Sequence, residues 1–363
     1  MTSTQFYFIL AIFVITLKIQ KMPSILYEFL GKDSYVLFIL FLFVNVLEIL
    51  LAFYITKKIK EHKDDENKRG KVYSIVLKIS AIFIAFYFLI QSGLFYESLQ
   101  NLFSYILFDN LSWKLFSLFL LGCVFYLASF DFENIGRVCE VFFYVIIGSL
   151  IFLTILGALH TDFQVVLPMQ TIANHNLLNS MQKFNVWFGD FFVVLFLGSR
   201  ARNIKLKTTL LTYILSMIFV IILVIEFNGI FFDLSVAQPS LLSTISEQSL
   251  LGIDIGRIDW FFILVVEIGT GICASLCLCM SKYSLSYAFK KVNPNFFLFI
   301  MMAYTYFVDI LYLVDLNAKE KFFLNFASNY SIAIKLGVII LLFIKMISLR
   351  KNKSIKIQGK VGV

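Results

Sequence analysis

The sequence predicts an all-α integral membrane protein with about ten transmembrane helices. Hydrophobic residues make up 60% of the 363 positions and charged residues only 15%. Apolar runs of about 20 residues, enough to cross ~30 Å of hydrocarbon, recur along the whole chain. The first and sixth runs are irregular. Together these observations predict a 5+5 inverted repeat with broken helices 1 and 6, because inverted repeats place interrupted helices at corresponding positions of their halves.

The predicted spans form a single membrane domain over residues 1–349. Its halves cover about 1–159 and 184–349, and residues 350–363 form a basic cytoplasmic tail. Only the sixth span is short for a crossing of the bilayer. The predicted bounds are Gln5–Leu30, Tyr35–Thr56, Ser74–Glu97, Ser112–Phe130, Val138–Leu159, Phe184–Gly198, Thr208–Phe231, Trp260–Met280, Phe296–Val314 and Ser331–Leu349.

The first span is broken by Lys18, Gln20 and Lys21, which precede Pro23. A lysine at the bilayer centre costs roughly 2.5–3.5 kcal/mol, and proline removes a backbone donor. Non-helical backbone at this depth requires cover by protein or a water-filled cavity. We therefore expect the helix to stop near residue 20, beside a polar cavity shared with the sixth span. Alternatively the helix ends at Leu17 and the lysines extend to the membrane interface.

The sixth span contains Gly189 followed by Asp190, where the helix could unwind. An intramembrane acid needs a partner, so we expect Asp190 to face Lys18 and to bind a substrate amine or a proton. A purely structural ion pair is the alternative. In the eighth span, Glu267 precedes Gly269-Thr270-Gly271, where small residues allow close helix approach. Glu267 could titrate in a transport cycle, or it could be one tolerated acid beside packing glycines.

Lysine and arginine are concentrated in alternate connections, which predicts cytoplasmic termini. The basic connections are 57–71, 200–207 and 282–291, together with the tail. Because the basic residues lie in loops between spans, the net charge of +8 does not indicate nucleic-acid binding. Two further bases, Lys78 and Lys335, are expected near span ends. Further acids in or near the membrane are Glu48, Glu140, Glu226 and Asp309, and the sequence does not show which groups pair.

Catalytic and metal-binding patterns are not apparent in the sequence. His62, His160 and His175 fall in predicted loops without a nucleophile or paired carboxylates at catalytic spacing. The five cysteines lie in or beside apolar segments and lack metal-ligand spacing with histidine. We therefore expect neither an enzyme nor a cofactor or metal ion, although a membrane-embedded enzyme acting on lipid or polysaccharide is a third possibility.

Seven short segments carry a family resemblance over essentially the whole chain. They resemble the spore germination permease family (GerAB-type), in which a Gln-aromatic helix, a proline-marked end and a Gly-x-Asp-x-aromatic turn open the chain. The segments are Gln5–Phe8, Met22–Leu26, Gly31–Tyr35, Asn134–Phe143, Leu167–Met169, Phe188–Asp190 and Ile258–Phe261.

The resemblance implies the amino acid–polyamine–organocation superfamily and its LeuT-like fold. It also implies a subunit of a nutrient-germinant receptor in the spore inner membrane or the bacterial cell membrane. Such a subunit contacts membrane lipid, binds a small nutrient of the amino acid class, and works with a second membrane subunit and a lipoprotein. A proton-coupled amino-acid or polyamine transporter is the alternative. The candidate ligand-binding residues, between spans one, three, six and eight, are Lys18, Gln20, Lys21, Tyr87, Gly189, Asp190, Glu267 and Thr270.

One departure concerns the first-span break. The family and superfamily usually place glycine or other small residues there, which lets a substrate carboxylate approach bare backbone donors. Here the segment reads Leu17-Lys18-Ile19-Gln20-Lys21. A ligand carboxylate would therefore need a different partner at this position.

Overall fold

The computed structural model describes residues 1–19, 22–61, 71–106, 113–166, 177–231, 259–312 and 328–340. Regular structure within these ranges is helical throughout. One-turn 3₁₀ helices cover Gly31–Asp33 and Asn185–Trp187. The α-helices are α1 Ser3–Ile19, α2 Met22–Leu30, α3 Ser34–Glu61, α4 Lys71–Ile106, α5 Trp113–Ser129, α6 Phe132–His160, α7 Phe163–Val166, α8 Leu177–Phe184, α9 Asp190–Arg200, α10 Leu206–Phe231, α11 Asp259–Ala288, α12 Pro294–Tyr312 and α13 Ser328–Ile340.

Five helical stretches of the described chain are long and apolar enough to cross a membrane. They are Met22–Lys57, Leu77–Tyr96, Phe132–His160, Leu206–Phe231 and Leu264–Ala288, and shorter apolar helices cover Ser3–Ile19, Leu118–Ser129 and Ser328–Ile340. The prediction of an all-α membrane protein is therefore confirmed at this level.

Several helices extend beyond the predicted spans. The predicted starts of the third and fifth spans, Ser74 and Val138, lie inside α4 and α6. The predicted end of the eighth span, Met280, lies two turns before the end of α11. His160, expected in a loop, is the last residue of α6. Apolar composition marks the part of a helix that suits lipid, whereas backbone hydrogen bonds continue the helix through polar residues at either end.

Helix α1 lies at the centre of the bundle. Its residues from Ile9 to Ile19 are all buried, and it packs against α6, α9, α10 and α11. A helix that is apolar all round belongs in the interior of a bundle. Around it, α11 packs along α4 and α3 packs against α9. The charged Lys18 therefore lies in the interior, among neighbours from several helices.

Hydrogen bonds at the ends of helices define two opposite ends of the bundle. At the end that holds the N-terminus, the Arg202 amide donates to the Met1 carbonyl at 3.3 Å, and the Lys205 amide donates to the Tyr7 hydroxyl at 3.1 Å. At the other end, the Asn228 side chain donates to the Lys32 carbonyl at 3.2 Å. The basic connection between α9 and α10 thus lies on the same side as the N-terminus.

Candidate functional site

A short non-regular connector, Asn185–Gly189, joins α8 to α9 inside the protein. It begins with the 3₁₀ turn Asn185–Trp187. Phe188 and Gly189 then adopt φ/ψ values of −110°/51° and −87°/14°, outside regular helical geometry, before α9 starts at Asp190. Phe188 and Asp190 are fully buried. Backbone polar groups freed in such a place need partners from the surrounding protein.

The first partner of the connector is an ion pair between Lys18 and Asp190. The Lys18 Nζ lies 3.0 Å from both carboxylate oxygens of Asp190, and both side chains are completely buried. The ammonium group also approaches the Val14 carbonyl at 3.4 Å and sits 5.2 Å from the centroid of the Phe188 ring. Since Asp190 is the first residue of α9, the helix dipole also favours its negative charge.

This geometry decides between two expectations for Lys18. The predicted contact between Lys18 and Asp190 is confirmed, and the alternative in which Lys18 extends to the interface is wrong because its side chain is fully buried. Gln20 and Lys21, and with them the predicted break near residue 20, lie outside the described residues. The described helices α1 and α2 end and begin on either side of that gap.

A second, largely buried ion pair contacts the connector from α13 and α3, with side chains that are 5% and 17% exposed. Lys335 of α13 lies 3.0 and 3.1 Å from the carboxylate oxygens of Glu48 in α3. The same ammonium group donates to the Phe188 carbonyl at 2.8 Å and to Asn185 Oδ1 at 3.2 Å. Lys335, for which the sequence showed no partner, is 4% exposed and contacts four acceptor atoms.

Tyr87 and Gln91 of α4 hold the start of the connector. The Tyr87 hydroxyl donates to the Val186 carbonyl at 3.3 Å. The Gln91 amide donates to the Tyr87 hydroxyl at 3.1 Å and also bonds the Val186 carbonyl. A Cβ atom on Gly189 would lie 2.7 Å from Cε1 and Cζ of Tyr87. The glycine therefore lets the ring of Tyr87 pack directly on the connector.

Glu267 and Thr270 lie on α11, which packs along α1. Gly269 approaches Thr16 of α1 so closely that an added Cβ would lie 3.3 Å from the Thr16 hydroxyl. Glu267 is 4% exposed, and its Oε2 atom has no hydrogen-bond partner among the described residues. Thr270 donates to the Val266 carbonyl at 3.0 Å. The predicted close approach is present at Gly269, whereas nothing lies within 4 Å of a Cβ atom added at Gly271.

Two polar residues beside the ion pairs were not predicted. Asn45 of α3 and Tyr213 of α10 are fully buried. The Tyr213 hydroxyl is surrounded by Asn45, Asp190 and Glu48, yet among the described residues neither it nor the Asn45 amide has a partner in hydrogen-bond geometry. The spacing of Asn45 and Glu48, one helical turn apart within an apolar span, was a usable signal. Tyr213, one of 17 tyrosines, carried none.

The site places one positive and one negative group, carried by different helices, in a largely apolar interior. Lys18 and Asp190 come from different helices, so their contact can open without breaking either backbone. A small molecule with one ammonium and one carboxylate group could pair with Asp190 and with Lys18. Each buried charge would then keep a partner, as low-dielectric surroundings require.

No curated protein matches the sequence of the chain. In contrast, the protein-family model described as spore germination protein matches residues 1–317. The matched part contains the Lys18–Asp190 pair, the connector and α11. It also includes all seven segments that carry the family resemblance in the sequence. The chain therefore belongs to the spore germination permease family of the GerAB type.

Proposed function

We propose that this protein is the permease-like integral membrane subunit of a spore nutrient-germinant receptor. It binds a small nutrient of the amino acid class and triggers germination from the spore inner membrane, together with a second membrane subunit and a lipoprotein. Family membership supports the germination role. The observation that carries the binding role is the completely buried Lys18–Asp190 pair beside the connector.

The same proposal covers the architecture. We propose ten spans in a LeuT-like 5+5 repeat within one membrane domain, 1–349, with the connector as the break of the sixth span and both termini in the cytoplasm. The non-helical geometry of Phe188 and Gly189 supports a break at this position. The grouping of the basic α9–α10 connection with the N-terminus supports the orientation.

In the proposed binding mode the nutrient inserts between Lys18 and Asp190. Its ammonium group pairs with Asp190 and its carboxylate with Lys18, which replaces the glycine backbone donors that the family usually offers. Gln20, Lys21, Tyr87, Gly189, Glu267 and Thr270 are the further candidate contacts. The buried polar groups of Asn45 and Tyr213 lie beside Asp190 and can bond further polar atoms of the ligand, since a buried donor or acceptor gains most from a partner. The ligand then shifts an existing equilibrium by its difference in affinity for the two states.

Binding of labelled L-amino acids to the purified protein tests the proposal. Lys18→Met or Asp190→Asn alone should abolish binding and should destabilise the protein by about 3–5 kcal/mol, because each leaves a buried charge without its partner. The double variant should recover most of that stability, as seen in thermal unfolding, and still not bind.

The matched control is the exposed pair Glu133–Arg137 of α6, whose side chains are 56% and 67% exposed. The variant E133Q/R137Q should change stability by no more than about 1 kcal/mol and leave binding intact. Wild-type affinity in the double variant K18M/D190N would show that the ligand binds elsewhere.

A proton-coupled amino-acid or polyamine transporter is the second candidate, and Glu267 favours it. A buried carboxyl group whose Oε2 atom lacks a partner among the described residues is a candidate proton carrier. Net uptake of labelled substrate into proteoliposomes under a pH gradient, abolished by Glu267→Gln, would support transport. Binding without net uptake would support the receptor subunit.

A further inference from the structure

The Lys335 ammonium group bonds more than its ionic partner. Besides the two oxygens of Glu48, it bonds the Phe188 carbonyl and the Asn185 side chain. The Phe188 bond, at 2.8 Å, is the shortest of the four. A pair that only neutralised charge would not need a backbone carbonyl of the connector, so these contacts fix the connector as well.

The two ion pairs contact the end of the connector next to α9 in different ways. Asp190, which directly follows the connector, places a negative charge at the N-terminus of α9, where the helix dipole favours it. Lys335 donates to the carbonyl of Phe188, a residue outside regular helical geometry between the 3₁₀ turn and α9. Phe188 lies between them, with its ring near the Lys18 ammonium and its carbonyl on Lys335. A shift of this one residue therefore alters both pairs.

Other contacts extend the link from the connector to α13 and α3. The Asn185 side chain donates to the Ser331 hydroxyl of α13 at 3.4 Å, and the Gln182 side chain of α8 donates to Asn329 at 2.9 Å. On the α3 side, Phe41 stacks on the Phe188 ring with centroids 3.7 Å apart. Glu48 and Lys335 join these two sets of contacts, because they bridge α3 and α13 directly.

We propose that the Glu48–Lys335 pair couples the connector to α13, so that a change at the Lys18–Asp190 site is transmitted to α13. Glu48 and Lys335 are positioning residues in this proposal, and they act through the Phe188 carbonyl. The transmission of ligand binding rests on the proposed function, whereas the physical coupling of connector and α13 does not.

Amide hydrogen exchange on the purified protein without any ligand tests the coupling. The variant E48L/K335M removes both charges together, so no unpaired charge is left to unfold the protein. Exchange in the connector and in Ser328–Ile340 should rise together, by about tenfold, because charge-assisted hydrogen bonds hold both. Exchange in α10 should stay at the wild-type rate, as it should everywhere in the control variant E133Q/R137Q.

Two further variants separate coupling from simple charge balance. Lys335→Arg, made in the wild-type protein, keeps a donor for the Phe188 carbonyl. Amide exchange in the connector and in α13 should therefore stay slow. The swap E48K/K335E restores the ion pair but places a carboxylate beside that carbonyl, so fast exchange should persist. Wild-type exchange in E48L/K335M, a rise confined to one of the two segments, or full rescue by the swap would overturn the proposal.

The ligand-dependent experiment uses glycine and the nineteen standard L-amino acids, added one at a time. Trp187 reports on the connector in a background with Trp113 and Trp260 replaced by phenylalanine. In the wild type, an amino acid that changes Trp187 fluorescence should also change exchange in Ser328–Ile340. In E48L/K335M the fluorescence change should remain and the α13 change should be lost. A persistent α13 change would overturn the proposal, whereas no binding by the wild type would overturn the proposed function only.

Discussion

Three buried lysines show where single-residue reasoning succeeds and fails. Lys18, Lys282 and Lys335 are 0%, 2% and 4% exposed. Lys18 was placed inside the membrane because apolar residues flank it on both sides. Lys282 and Lys335 were assigned to a loop and a span end. An ammonium group is buried only where partners offset the cost of desolvation, and the sequence showed no partner for either lysine. Those partners lie 154 and 287 residues away in sequence, so a local pattern could not show them.

Gly189 gives the most local prediction. We expect Gly189→Ala to lower stability by about 1–3 kcal/mol and to weaken amino-acid binding, because the new methyl group would overlap the Tyr87 ring. The backbone at Gly189 has an ordinary negative φ of −87°, so the effect is steric and not a matter of backbone strain. Thermal unfolding and binding of labelled amino acids measure the two effects.

Gly148→Ala is the matched control for this substitution. Gly148 lies within α6, and nothing stands within 4 Å of an added Cβ. Alanine should therefore be tolerated there or should stabilise the helix by about 1 kcal/mol. Equal stability of the two variants would show that the contact between Gly189 and Tyr87 is not close in the folded protein.

At the scale of elements, the sequence predicted where apolar helices lie better than where they end. The irregularity expected at Gly189-Asp190 coincides with the connector and the start of α9. The sixth segment was expected to begin at Phe184, but α8 already starts at Leu177. The polar residues Asn179, Gln182 and Lys183 hide α8 from a hydropathy pattern. Which helices meet at the connector depended on tertiary packing, which periodicity does not encode.

The end of α5 provides a prediction about elements. Lys282 of α11 donates to the carbonyls of Ala128 and Ser129 at 2.9 and 3.1 Å, which are orphan acceptors at a helix C-terminus. We expect Lys282→Met to destabilise the protein by about 1–3 kcal/mol, since both carbonyls, of which that of Ala128 belongs to a buried residue, lose their donor. Thermal unfolding of the purified protein measures the change.

Lys290 is the control for Lys282, because it lies just beyond the end of α11 and is exposed. Lys290→Met should leave stability within about 0.5 kcal/mol of the wild type. A similar loss in both variants would mean that the positive charge at this end matters in general, and not the capping of α5.

At the scale of the whole molecule, contacts in the described part of the chain group the connections at two ends. The α9–α10 connection meets the N-terminus, and a cluster at the same end joins Arg200 to the rings of Phe132 and Tyr283. At the opposite end, Asp162 bonds the carbonyl of Gly229 at the end of α10. The sequence could predict which connections share an end of the bundle, because this depends on the distribution of positive charge and on the order of the spans. It does not depend on how the helices pack.

The orientation of these ends in the membrane is the last prediction. Positive residues stay on the cytoplasmic side, and Arg200, Arg202, Lys205 and Lys207 follow one another in the α9–α10 region. We therefore expect Lys207→Cys to react with a membrane-impermeant maleimide only after cells are permeabilised. Gln164→Cys, in α7 at the opposite end, should react in intact cells.

The labelling uses a background in which Cys123, the exposed native cysteine of the described chain, is replaced by serine. The other four cysteines are buried and should react slowly. Labelling of Lys207→Cys in intact cells, with protection of Gln164→Cys, would invert the orientation. The basic connection would then lie outside the cell, against the distribution of positive charge. Nutrients would have to reach the Lys18–Asp190 site from the end of the bundle that carries the N-terminus.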